Sequence, residues 1–124
     1  MAFCHRLIAS HAAASGLDAV TQLLEGFVST KASPFTDALA REGLRIAGRS
    51  LPRVVADGSD IEARAGMAFA AYVSGIVLAN AGLGVVHGIA SPLGAAVDIP
   101  HGVVCGTLIG AASRRIIRRL EKRN

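Results

Sequence analysis

Four residues in this sequence carry side chains that could do chemistry together: Asp18, Gln22, His87 and His101. Asp18 and Gln22 are four residues apart, so on a helix both project from one face. His87 and His101 each follow a break, Gly82–Gly84 and Pro100, where side chains from separate elements can converge. One carboxylate, one amide oxygen and two imidazoles suit a divalent transition metal such as zinc or iron. Plainer roles fit the same residues. A histidine on an apolar helix is more often a core residue satisfied by its neighbours. Asp18 can be the N3 partner of a cap at Ser15, an acid three residues after a serine. Spacing alone leaves these alternatives open.

The elements that must hold these residues read as helices. Leu17, Val20, Leu23, Leu24 and Phe27 recur at helical spacing behind Ser15, which predicts a first helix from there to about Ser29. Ser33–Pro34 restarts the chain with a serine N-cap and a proline at the first helical position. Phe35, Ala38, Leu39, Ile46 and Ala47 mark the inner face of this second helix, which Pro52 kinks or ends before the turn at Asp57–Gly58. Ser59 and Glu62 form the strongest capping pattern, opening a helix to about Asn80. Gly82 and Gly84 break it, a short element with His87 runs to Pro92, and Asp98–Gly102 is a turn. The last helix spans about His101 to Lys122. Alternating period-two runs are missing, so the fold class is all-α, a single helical bundle across residues 1–124.

Composition narrows the function. Of 124 residues, 52% are apolar but only 4% aromatic, with Ala and Gly prominent, which favours close helix packing. The net charge of +4 sits mainly in Arg41–Arg53 and Arg114–Arg123. Neither segment carries aromatic platforms or a reading motif, so no nucleic-acid partner is expected. Arg41, Arg45, Arg49 and Arg53 read as a solvated helix face, or alternatively as a docking surface. Ile116, Ile117 and Leu120 lie among basic residues and would pack on a neighbouring helix or a second copy. Residues 65–97 lack charge for longer than the roughly 20 residues that span a bilayer. Asn80, His87, Ser91, Pro92 and several glycines interrupt that stretch, which reads as a buried hairpin rather than a membrane element. His5 and His11 break any signal-peptide core. Cys4 and Cys105 form no metal-type pair and are expected to be reduced thiols in a cytoplasmic protein.

Several segments together resemble the iron-containing alcohol dehydrogenase family. They are SGLDAVTQLLE from Ser15, VSTKASPFTDAL from Val28, NAGLGVVH from Asn80, PLG from Pro92 and DIPHG from Asp98. The likeness runs from about Ala13 to Thr107 with these motifs in order. It implies the C-terminal helical domain of such enzymes, a dehydroquinate synthase-like bundle that binds the metal. Their N-terminal Rossmann-like domain for NAD or NADP has no counterpart here. Gly82-Leu-Gly84 stands too isolated, without a preceding strand, to be a phosphate cradle. The chain is thus expected to be a fragment that uses NAD(P) only if a nucleotide-binding half is supplied.

By resemblance, Asp18, His87 and His101 match three of the family's four metal ligands. The metal then serves as a Lewis acid on a small alcohol or aldehyde while hydride moves to or from nicotinamide. Two positions depart from the pattern. Gln22 stands where the family's second ligand is histidine, and an amide oxygen is a weaker donor than imidazole. Ser91 stands where many members carry a histidine credited with proton relay. The expected ion is iron or zinc, held by Asp18, Gln22, His87 and His101. The expected partner is the missing domain or a second copy. The alternative is a truncated, non-catalytic remnant acting only as a helical oligomerising or interaction domain.

Overall fold

The computed structural model describes residues 2–121, the side chains of residues 2–8 and of Leu120 excepted. The expectations on Cys4, His5, Leu120 and Lys122 therefore lie outside the described residues. Five helices follow one another: α1 (Ala2–Phe27), α2 (Pro34–Ala56), α3 (Ile61–Ala81), α4 (Val85–Ala96) and α5 (His101–Glu121). No strand occurs among the described residues, and the all-α expectation holds.

α1 is the spine. It packs against α2, α3 and α5 and touches α4. On one side, α1, α2 and α3 enclose Leu23, Ala40, Ala47, Ala70, Val73, Val77 and Ala81. On the other side, α4 and α5 enclose a smaller cluster of Val86, Ala90, Val104 and Cys105. Alanines dominate the first core, so the helix axes come close and each large side chain fits opposite a small residue. Leu23 lies over Gly43, Val77 over Gly26, and Leu51 over Gly16.

The chain's start and turns differ from the sequence expectation in four places. α1 begins at Ala2, not Ser15, because the alanine-rich run ahead of Ser15 offers no reason to stop a helix. Ser15 therefore lies within the helix, and Asp18 is released from any capping role. At α3 the N-cap is Asp60, whose carboxylate accepts from the Ala63 amide at 3.0 Å. Ser59 instead donates both its amide and its hydroxyl to Asp57 Oδ1, an Asx-type turn that displaces the cap by one residue. Pro52 sits inside α2 without ending it, and Pro92 likewise inside α4. The restart at Ser33 forms as expected, with Ser33 and Thr36 bonded reciprocally.

The uncharged stretch folds into two helices that do not pair with each other. α3 is long and apolar enough by composition to cross a membrane, but Ala70, Val73, Val77 and Ala81 bury one face against α1 and α2. The chain turns away at Gly82, the one described residue in the left-handed region (φ 74°), and α4 pairs with α5 instead. The arginine stripe is partly tied into the fold. Arg45 pairs with Glu42, Arg53 bridges Asp60 and Glu62, and Arg41 lies 5.5 Å over the Phe27 ring.

One close approach fixes where α5 begins. A Cβ built on Gly102 would sit 2.1 Å from the Ala14 carbonyl oxygen, a backbone atom that cannot swing aside. Gly102→Ala is expected to push the start of α5 off α1 and destabilise the fold by about 1–3 kcal/mol. Gly48, exposed within α2 with nothing near its Cβ position, is the matched control. Gly48→Ala should stabilise by about 0.5–1 kcal/mol. Urea unfolding of both variants checks the pair, and equal effects would contradict the packing assigned to Gly102.

Candidate metal centre

The site lies where α1 meets the α4–α5 pair. Asp18, Gln22 and Glu25 project from one face of α1 at spacings of four and three. His87 stands in the first turn of α4, and His101 and Cys105 stand one turn apart at the start of α5. Asp18 Oδ1 is 3.0 Å from His87 Nε2 and 3.5 Å from His101 Nε2. Cys105 Sγ is 3.5 Å from His101 Nε2 and 3.8 Å from His87 Nε2. The four donor atoms lie within 4.8 Å of one another. The two imidazole rings are tilted, with centroids 5.3 Å apart.

Of the residues singled out from sequence, Asp18, His87 and His101 thus meet at one point. Gln22 meets them differently. Its amide nitrogen donates to Asp18 Oδ2 at 3.1 Å, and its oxygen faces the Ser74 hydroxyl at 2.9 Å. Turning the amide over would set two acceptors against each other at Asp18 without a proton between them. Gln22 therefore steadies the far oxygen of Asp18 while Oδ1 faces the imidazoles. Ser91 is exposed on α4, one turn beyond His87.

Two contributors are not singled out by the sequence expectations. Cys105 is a fully buried free thiol four residues after His101, the same helical spacing that pairs Asp18 with Gln22. Glu25 is 4% exposed on the α1 face that carries Asp18, seven residues further on. Its Oε1 accepts from the Val86 amide at 2.6 Å, and its Oε2 lies 2.7 Å from His87 Nδ1. Gly84, the N-cap of α4, has no side chain to satisfy the first amides of that helix, so Glu25 reaches across from α1 to do it. Burial alone would raise the Glu25 pKa. The His87 hydrogen bond and the amides of Val86, Gly84 and His87 outweigh it and hold the carboxyl below its ordinary value.

That contact sets the chemistry of His87. An ionised Glu25 draws the ring proton to Nδ1, a tautomer assigned from the contact, and turns the Nε2 lone pair towards Asp18. A lone pair facing a carboxylate oxygen at 3.0 Å needs a cation between them, either a second ring proton or a metal. Burial first, and then the Asp18 carboxylate, push the Cys105 thiol up to about 12. The donor set therefore fits a divalent transition metal, with a carboxylate behind the buried histidine as in carboxylate–histidine–metal sites. Exposure is graded across the cluster, from His87 at 5% through Asp18 at 26% to His101 at 42%, so the cluster is most open at His101.

Comparison with known proteins identifies the family. Residues 12–123 match the model of the Fe-containing alcohol dehydrogenase family, C-terminal part. The chain belongs to this family. It is 42% identical to the 1,3-propanediol dehydrogenase of Klebsiella pneumoniae over 111 residues, 89% of this chain and 29% of that protein. It superposes on a crystal structure of 1,3-propanediol oxidoreductase with a TM-score of 0.85 at 41% identity, covering 86% of this chain and 28% of the other. It also superposes on sulfoacetaldehyde reductase from Bifidobacterium kashiwanohense in complex with NAD+, with a TM-score of 0.83 at 28% identity. That match covers 89% of this chain and 29% of the reductase. The chain spans less than a third of the length of these relatives.

Glu25→Gln tests the structural half of the site. The change keeps the shape but removes the charge that holds the α4 amides and His87 Nδ1. It should destabilise the fold by about 1–3 kcal/mol and weaken metal binding about 10–100-fold. Equilibrium unfolding and competitive zinc titration measure the two effects, and wild-type values in both would contradict the role given to Glu25.

Proposed function

We propose that this chain is the metal-binding helical part of an NAD(P)-dependent, iron-type alcohol dehydrogenase acting on a small alcohol–aldehyde pair. The observation that carries this reading is the convergence of Asp18 Oδ1 with His87 Nε2 at 3.0 Å and His101 Nε2 at 3.5 Å. The family, an oxidoreductase family, supports the same chemistry. Asp18, His87 and His101 would hold the ion, iron or zinc, with Gln22 beside Asp18. When bound there, the metal would polarise the substrate oxygen as a Lewis acid.

The chain's own residues do the rest of the local work. Glu25 fixes the His87 ring and its tautomer. Gln22 and the α1 backbone fix Asp18. The apolar residues around His87, including Val86, Ala90 and Val104, exclude water from the buried end. The partly exposed His101 leaves one side through which a small substrate can approach. Ser91, exposed on α4, is the hydroxyl available where the resemblance implies a relay group. Hydride transfer also needs a nicotinamide within near-contact of the substrate carbon. A nucleotide-binding half, on the same polypeptide or on a partner, must supply it. A reduced thiol in the cluster, Cys105, fits a cytoplasmic setting.

A second reading, a non-catalytic helical remnant that associates with itself or a partner, is favoured by two observations. Gln22 offers its nitrogen rather than a metal-donor atom, and Val85, Ile89 and Ile117 are exposed. Metal analysis of protein purified without added metal separates the two readings. The dehydrogenase reading expects near-stoichiometric metal that disappears in His87→Ala. No metal in the wild type, even after add-back of zinc or iron, would favour the remnant.

A further inference from the structure

Resting on the metal-site reading above, the geometry points to Cys105 as a further metal ligand, its thiolate taking the coordination place that Gln22 leaves. Three observations carry this. The first is distance. For a tetrahedral zinc with bonds of about 2.0–2.1 Å to nitrogen or oxygen and 2.3 Å to sulfur, neighbouring donors stand roughly 3.4 Å (N to O) and 3.6 Å (N to S) apart. The oxygen–nitrogen separations here are 3.0 and 3.5 Å, and the sulfur–nitrogen separations are 3.5 and 3.8 Å. All four atoms lie within 4.8 Å of one another.

The second is the inventory of protons. A thiol has one proton to donate and a sulfur that accepts only weakly, and Sγ stands close to the Nε2 atoms of both His87 and His101. A sulfur aimed between two nitrogens and beside a carboxylate is the arrangement a shared cation would organise. The third is the state of Gln22, whose amide is engaged by Asp18 and Ser74 and leaves three donors where the family pattern supplies four. Cys105 stands on α5 one turn after His101, so the fourth donor comes from the helix that already carries His101 rather than from α1.

Ligation replaces the S–H bond by a sulfur–metal bond. The proton leaves to solvent, and neither sulfur nor metal changes oxidation state. With four protein donors filled, a substrate oxygen would enter as a fifth ligand from the His101 side, which is 42% exposed.

Cobalt(II) reports the sulfur directly, because thiolate ligation gives an intense near-ultraviolet charge-transfer band that oxygen and nitrogen ligands do not. The full chain carrying Cys4→Ser leaves Cys105 as the sole thiol. Loaded with cobalt(II), it should show that band together with visible ligand-field bands. Cys105→Ser in the same background should lose the near-ultraviolet band while keeping bound cobalt by elemental analysis. The Cys4→Ser protein is itself decisive, whatever the folding of the second variant. Stoichiometric cobalt without the charge-transfer band would overturn Cys105 as a ligand and leave the metal-site reading standing. No bound cobalt at all would overturn that reading, and this inference with it.

Discussion

A buried carboxylate holds the two halves of this fold in register. Glu25 sits buried on α1, on the face that also carries Asp18 and Gln22, and takes the first amides of α4 together with the Nδ1 side of His87. A bare carboxylate in such a place would be strongly unfavourable. Here the positive end of a helix and a ring proton compensate it, so its burial becomes a constraint rather than a defect. α4 cannot slide or rotate on α1 without stripping those partners. Because His87 lies in the same first turn, its Nε2 is aimed before any ligand arrives. Such preorganisation distinguishes a site from a chance cluster of polar groups.

The helix packing around that contact follows from small side chains. Gly84 must lack a Cβ because Glu25 Oε1 lies 2.7 Å from where one would stand. Gly102 must lack one because α5 begins against the Ala14 carbonyl, and Gly106 faces Leu17 in the same way. The Gly102 contact with backbone, helped by the Gly106 contact with the Leu17 side chain, brings the start of α5 close enough to α1 for His101 and Cys105 to reach Asp18. The alanine-lined core of α1, α2 and α3 reaches the site through the hydrogen bond from Ser74 to Gln22. Its role is to keep α1 straight and fixed while the α4–α5 pair presents the imidazoles.

Much of this was legible in the sequence, and the remainder was hidden for identifiable reasons. Helical periodicity and the Ser33–Pro34 signal located α2, and the glycine break located the start of α4. The start of α1 was misplaced because a capping pattern at Ser15 competes with an alanine-rich run that simply continues the helix, and propensity prevails. The α3 cap shifted by one residue because Asp57 captures Ser59, a local side-chain choice that a serine–glutamate pattern does not reveal. The meeting of Asp18, His87 and His101 was expected mainly through family resemblance, since their separations in sequence carry no common period. Glu25 carries no sequence signal of its own, because an acid on a helix reads as solvent-facing unless the amides it caps are known. Cys105 has no cysteine partner at metal-type spacing, and the sequence signal for it is its four-residue spacing from His101.

The central claim is that Asp18, His87 and His101 are arranged around the position of a single cation. A crystal of the zinc-soaked protein, with anomalous scattering recorded on both sides of the zinc edge, measures that position directly. The account predicts one strong anomalous peak within bonding distance of Asp18 Oδ1 and the Nε2 atoms of both histidines. A map with no peak there, or with zinc bound only at surface residues elsewhere, would contradict it.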